Sequence, residues 1–200
     1  MDPTAMTQTA VPPPPRWARA AGTVGWVAPI LGFVPLHIPW MLGIPFLANE
    51  ASFDAWYHGR AHGTESYPED GILGIPAGAM YLGVLTLLAI LGGILSLGLI
   101  SGWGLVYPRW IPVLGRRRVP PWFPLTPTLL GSVLLVGYSL TLPVQIPRAI
   151  AEASPDDPFT LTGAFIGLPV LLAWMIALPV AGWSYYRRTR RVTPTGWQRH

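Results

Sequence analysis

The chain of 200 residues has no cysteine and no lysine, and only 11% of its residues are charged, where a soluble domain carries roughly 25%. Without a thiol there is no disulfide exchange, no cysteine nucleophile, no Cys-ligated iron–sulfur cluster and no thiolate zinc site. Membrane thiol oxidoreductases are excluded with them. The shortage of charge points to lipid. Four stretches hold no Asp, Glu, Lys or Arg at all: Ala20 to Asn49, Gly71 to Pro108, Val119 to Pro147, and Pro158 to Tyr186. Each is longer than the ~20 residues a helix needs to cross ~30 Å of hydrocarbon.

What is present fits that reading. A soluble helical core would need polar faces recurring about every 3.6 residues, and these segments are apolar all round. A closed barrel would alternate polar and apolar residues, and the run Val84-Leu-Thr-Leu-Leu-Ala-Ile-Leu does not. The expected fold is therefore all-α: a four-helix transmembrane bundle with a proline-broken first helix, over residues 20–186. The first helix, Ala21 to Leu47, contains Pro29, Pro35, Pro39 and Pro45, each of which removes a backbone donor, so it is expected to be kinked or locally unwound. The others are expected at Pro76 to Ser101, Thr126 to Leu142 and Leu161 to Trp183. Residues 1–19, with four consecutive prolines, read as a disordered tail, and 187–200 as a basic one. The first apolar stretch is too long for a signal peptide's apolar region of roughly 7–15 residues, so it is expected to be retained. Gly98 with Gly102 and Gly163 with Gly167 are spaced for close helix contact, or are simply the glycines common in membrane helices.

Charge sets an orientation. The first cluster holds Arg16 and Arg19, the central loop Arg109, Arg116, Arg117 and Arg118, and the C-terminal cluster five arginines; the two intervening loops hold only Arg60 and Arg148 beside eight of the nine acids. By the positive-inside rule both termini and the central loop are cytoplasmic, in a multi-pass protein of the cytoplasmic membrane. The same bias accounts for a pI near 9.9 without nucleic acid as a partner. The arginine clusters lie where anionic lipid headgroups would attract them, at about 1 kcal/mol per residue near the surface. A membrane-protein partner or a second copy of the chain is also open. Trp103, Trp110, Trp122, Trp183, Tyr185 and Tyr186 fall near span ends, as an interfacial aromatic belt would place them.

The central loop reads Trp103-Gly104, then Pro108-Arg109-Trp110-Ile111-Pro112, then Gly115-Arg116-Arg117 with Arg118-Val119-Pro120. It resembles a group of uncharacterised actinobacterial multi-pass membrane proteins, in which a Trp-Gly pair, a Pro-Arg-Trp-x-Pro core and a Gly-Arg-Arg-Val-Pro ending join the second and third helices. The segment Pro39 to Pro45 is a second echo of that group. Exclusive use of arginine over lysine, read as a high-GC coding bias, hints at the same source. The resemblance implies fold and topology and brings no activity with it. Read from its residues, the loop is either a stiff connector or a place where Arg109 holds a lipid phosphate or an acidic partner.

Two places invite chemistry. His37 is the one side chain within the spans that titrates near neutral pH, and an intramembrane ionisable residue defaults to a functional hypothesis. Bis-His haem would need a second intramembrane His, and Met41 shares a helix with His37, so no haem is implied. The alternative is a neutral His bonded to a carbonyl freed by proline. A Ser139–His37 hydrolytic dyad lacks an acid to orient it. In the outer loop, His58 and His62 lie four apart among Glu50, Asp54 and Glu65, a spacing that on a helix could present two metal ligands. Against a metal, Gly59 and Gly63 follow each His directly and favour ending a helix at His58. No cofactor is expected. The sequence favours a non-enzymatic packing or accessory protein; the alternatives are a small transport component with its pathway beside helix one, or an enzyme or metal-binding protein using His37 or His58/His62.

Overall fold

A computed structural model of the protein describes residues 11–60, 73–154 and 157–190. Among these residues the chain is helical, without strands. The first span is α1 (Arg16–Val27), a π-helical stretch (Ala28–Phe33) and α2 (Val34–Met41), which follow one another as a single 26-residue run. Proline explains the π stretch. Pro29 has no N–H for the Gly25 carbonyl, and Pro35 has none for Leu31. The helix widens instead of breaking, and the Val34 N–H reaches back five residues to the Pro29 carbonyl. Up to Met41 the proline-rich span thus carries a wide turn rather than a break; its expected last residues, 42–47, are not helical, and the Leu42 and Gly43 N–H groups close tight turns on the Pro39 and Trp40 carbonyls.

Beyond Met41 the chain turns, and Pro45 leaves the Met41 carbonyl without its helical donor. A side chain takes that place: α3 (Glu50–Tyr57) lies across this end of the bundle, and its Tyr57 hydroxyl donates to Met41 O at 3.0 Å. The second span is α4 (Ala77–Ile100). The third was expected as one helix and is two, α5 (Trp122–Ser139) and α6 (Leu142–Ala151), bent by 44°. Pro143 cannot donate to the Ser139 carbonyl, and Pro147 repeats the loss four residues on. The fourth, α7 (Leu161–Arg190), runs seven residues past its expected end at Trp183, so that Arg187, Arg188 and Arg190 belong to the helix. Three of these helices are long and apolar enough to cross a membrane, and four if the bent pair is one span.

Helix α1 and the π stretch pack against both α4 and α7, while α5 flanks α7. Lipid offers no hydrophobic drive for helix association, so close van der Waals fit must hold the bundle. Glycine supplies it: an added Cβ would sit 2.4 Å from Ile100 at Gly22, 2.6 Å from Val170 at Gly32 and 2.5 Å from the Trp174 ring at Gly92. The glycine pairs singled out by spacing behave differently. Gly98 abuts Trp103 and the backbone of Gly104, Gly102 faces open space, Gly163 lies near Leu47 O, and Gly167 meets only Leu36 at ordinary distance. The core holds Ala89 and Leu99 of α4 with Trp174, Leu178, Ala181 and Tyr185 of α7. A second cluster at the α3 end holds Trp40, Phe53 and Leu82.

Candidate functional site

A cleft of about 290 Å³ lies between α2, the bent α5–α6 pair and the first turns of α7. Proline chemistry shapes it: the bend after Ser139 turns α6 by 44° from α5, and Ile146 and Ile150 of α6 line the gap with His37 and Trp40 of α2. Its walls are apolar, with Leu36, Leu142, Ile146 and Leu168 among them, and its polar groups are His37, Tyr138 and Gln145. Gln145 is held by its own helix, donating from Nε2 to the Thr141 hydroxyl at 2.7 Å.

His37 is only 7% exposed. Its Nδ1 lies 2.8 Å from the Phe33 carbonyl, one turn back, and its ring stacks on that of Phe33 at 3.7 Å with Trp40 at its edge. A carbonyl only accepts, so Nδ1 carries the proton, and in the neutral ring Nε2 is the acceptor. Nothing among the described residues donates to Nε2. The expected bond from His37 to a backbone carbonyl is therefore made, but to a different one: proline frees Leu31 O and Pro35 O, not Phe33 O. Met41 points elsewhere, its sulfur lying 3.7 Å from where a Cβ on Gly83 of α4 would be, so the two side chains do not converge. Ser139 donates to the Leu135 carbonyl of its own helix at 2.8 Å and does not line the cleft.

The outer-loop array takes another form. His58 ends α3 as its C-cap, with Gly59 in the left-handed region at φ 74°, as the glycines foretold. His58 Nδ1 lies 3.0 Å from the Asp54 carbonyl and 3.3 Å from its carboxylate, and Arg60 takes the other carboxylate oxygen at 2.5 Å. Asp54 is thus already engaged by a cation. His62 and Glu65 lie outside the described residues. Among the described residues no three His, Cys, Asp or Glu side chains gather as a metal site would need.

The central loop is closed by its own backbone. Tyr107 and Arg116–Arg117 exchange hydrogen bonds at 2.9 and 3.0 Å, and Val119 N–H donates to Leu105 O. Gly115 allows the fold-back, since a Cβ there would stand 3.0 Å from the carbonyls of Arg109 and Ile111. Arg109, Arg116, Arg117 and Arg118 all stay on the surface.

Two residues at this arginine-rich end have roles that sequence did not reveal. Tyr185, placed by its position in the aromatic belt, is fully buried and donates to Gly104 O at 2.8 Å. Arg188, counted with the basic tail, is 7% exposed; Nη2 donates to Leu99 O at 2.6 Å and Nη1 to Pro12 O at 3.3 Å. The available signal was spacing: Ala181, Tyr185 and Arg188 continue one face of α7 at helical intervals. Compared with known protein families, curated proteins and solved structures, the chain matches none of them.

Proposed function

We propose that this is a non-enzymatic, multi-pass protein of the cytoplasmic membrane, both termini inside, that holds a membrane-soluble molecule in the His37 cleft as an accessory or small transport component. The actinobacterial group named above is its proposed family. One observation carries the reading: a buried imidazole, fixed through Nδ1 by the Phe33 carbonyl, lines a mostly apolar cleft with no described donor on Nε2. Binding sites for small molecules have this make-up, mostly apolar with a few placed polar groups. The matching ligand is an apolar chain or ring bearing one hydroxyl donor. No span carries a carboxylate, so proton-coupled pumping has no evident carrier, whereas passive holding or hand-over needs none.

The test is mass spectrometry of what co-purifies. Wild-type protein in mild detergent should retain an apolar hydroxyl-bearing molecule enriched over its share of the bulk membrane. Ala149→Trp, which fills the cleft from its exposed wall, should lose it, and His37→Leu should weaken retention about five- to tenfold, the worth of roughly 1–1.5 kcal/mol for one hydrogen bond. Co-purifying lipid in the same proportions as the membrane, unchanged by Ala149→Trp, would sink the proposal.

A further inference from the structure

A second cleft, of about 400 Å³, runs between α5 and α7 at the arginine-rich end, distinct from the one around His37. Its lining is graded. Trp122, Trp183 and Tyr186 form the end nearer the helix termini, and Leu125, Leu129 and Pro179 the inner part. Two guanidinium groups crown it: Arg187 lies over the Trp183 ring at 5.9 Å, and Arg190 over Tyr186 at 5.8 Å, with Nη1 3.2 Å from the Tyr186 hydroxyl. From Arg187 back to Pro179 the helix rises about 12 Å. Over that length the lining passes from cationic to amphipathic aromatic to mainly aliphatic, with the Thr126 and Thr128 hydroxyls turned back onto their own helix and Ser132 at the inner end.

We infer that this cleft binds one anionic phospholipid, with its phosphate at Arg187 and Arg190, its glycerol region against the three aromatic rings, and an acyl chain along Leu125, Leu129 and Pro179. Charge complementarity selects the headgroup. The described acids, Glu50 and Asp54 of α3 with Glu152 and Asp157 of the α6–α7 connection, all lie at the other end of the bundle, so no described carboxylate stands at the cleft's rim. Stacking on Trp183 and Tyr186 fixes both guanidinium groups at the mouth before the lipid arrives, which lowers the ordering cost of binding. A zwitterionic headgroup brings its own cation to the same place and gains less. A free phosphate gains nothing from the aliphatic half.

Native mass spectrometry of the full-length protein in neutral detergent, titrated with phosphatidylglycerol or with phosphatidylcholine of the same chains, tests this. Phosphatidylglycerol should bind more tightly. Arg187→Gln should weaken it about fivefold and Arg187→Gln with Arg190→Gln about thirtyfold, the counterpart of about 1 kcal/mol per arginine. Leu129→Trp, which fills the aliphatic half from an exposed position, should weaken both lipids. As a charge-matched control, Arg116→Gln with Arg117→Gln on the central loop should leave binding unchanged. The proposal is overturned if the two lipids bind alike, if the control pair costs as much as the rim pair, or if inorganic phosphate at millimolar concentration displaces the lipid.

Discussion

Arg188 carries a charge into a buried position and meets no carboxylate among the described residues, yet its place is electrostatically sound. Leu99 is in the last turn of α4, where helix carbonyls lack intrahelical donors and carry partial negative charge. The guanidinium supplies two donors there, one to Leu99 and one to Pro12 ahead of α1, and leans on the Tyr185 ring at 5.8 Å. It therefore ties the ends of three helices. Replacing it by Ala strips the Leu99 carbonyl of its partner and should cost about 1.5–3 kcal/mol, read as a lowered midpoint of thermal unfolding in detergent. Arg188→Lys should recover only part, because a single ammonium does not reproduce the two-pronged fork. Tyr185→Phe should cost about 1 kcal/mol for the bond to Gly104. If Arg188→Ala unfolds at the wild-type midpoint, the tie is ornamental and the residue belongs with its exposed neighbours.

At the scale of elements, proline and glycine decide the architecture, and they were not equally readable. Composition and the charge-free stretches disclosed that the chain is helical and where its apolar helices lie, because hydrocarbon leaves the backbone only helices or closed barrels, but not α3 or the division of the third stretch into α5 and α6. Proline positions disclosed that the first span is irregular. They did not disclose its form, since the loss of donors to the Gly25 and Leu31 carbonyls can be met by unwinding or by a wide turn, and the turn is what forms, with Gly32 packed close against Val170. Small-residue spacing left its two readings open for a related reason: glycine marks close approach only where a partner stands opposite, as at Gly98 and not at Gly102, and partners come from tertiary structure. Gly92→Ala should push the buried Trp174 ring and cost about 1–3 kcal/mol in thermal unfolding. Gly102→Ala, with open space before it, should change stability by less than about 0.5 kcal/mol. Equal effects at both positions would mean that the α4–α7 approach is looser than the packing here requires. The His37 cleft was half legible in the same sense. Its histidine stood out in the sequence, but its walls come from α6, turned by the bend after Ser139, and from α7, and only tertiary structure sets both against α2.

On the scale of the whole molecule, charge and shape agree along one axis. The described acids lie in the α3 region and the α6–α7 connection, while Arg16, Arg19, the central loop and the end of α7 share the opposite end. Such a separation orients a chain during insertion, because arginine near span ends resists transfer across the membrane. The bias is redundant, and that makes a sharp prediction. Changing Arg109, Arg116, Arg117 and Arg118 together to Gln still leaves two arginines in the first turns of α1 and five at and beyond the end of α7, against Arg60 and Arg148 in the two intervening loops. The variant should keep the wild-type topology, since all four are exposed and none of the central loop's backbone bonds passes through their side chains. Paired reporter fusions at the C-terminus and between α3 and α4, one active only in the cytoplasm and one only outside it, read the outcome. For wild type and variant alike, the C-terminal fusion should report inside and the α3–α4 fusion outside. A wild-type C-terminus that reported outside would invert the proposed orientation. An inverted variant alone would show that the four central arginines, rather than the summed bias, hold the bundle in place.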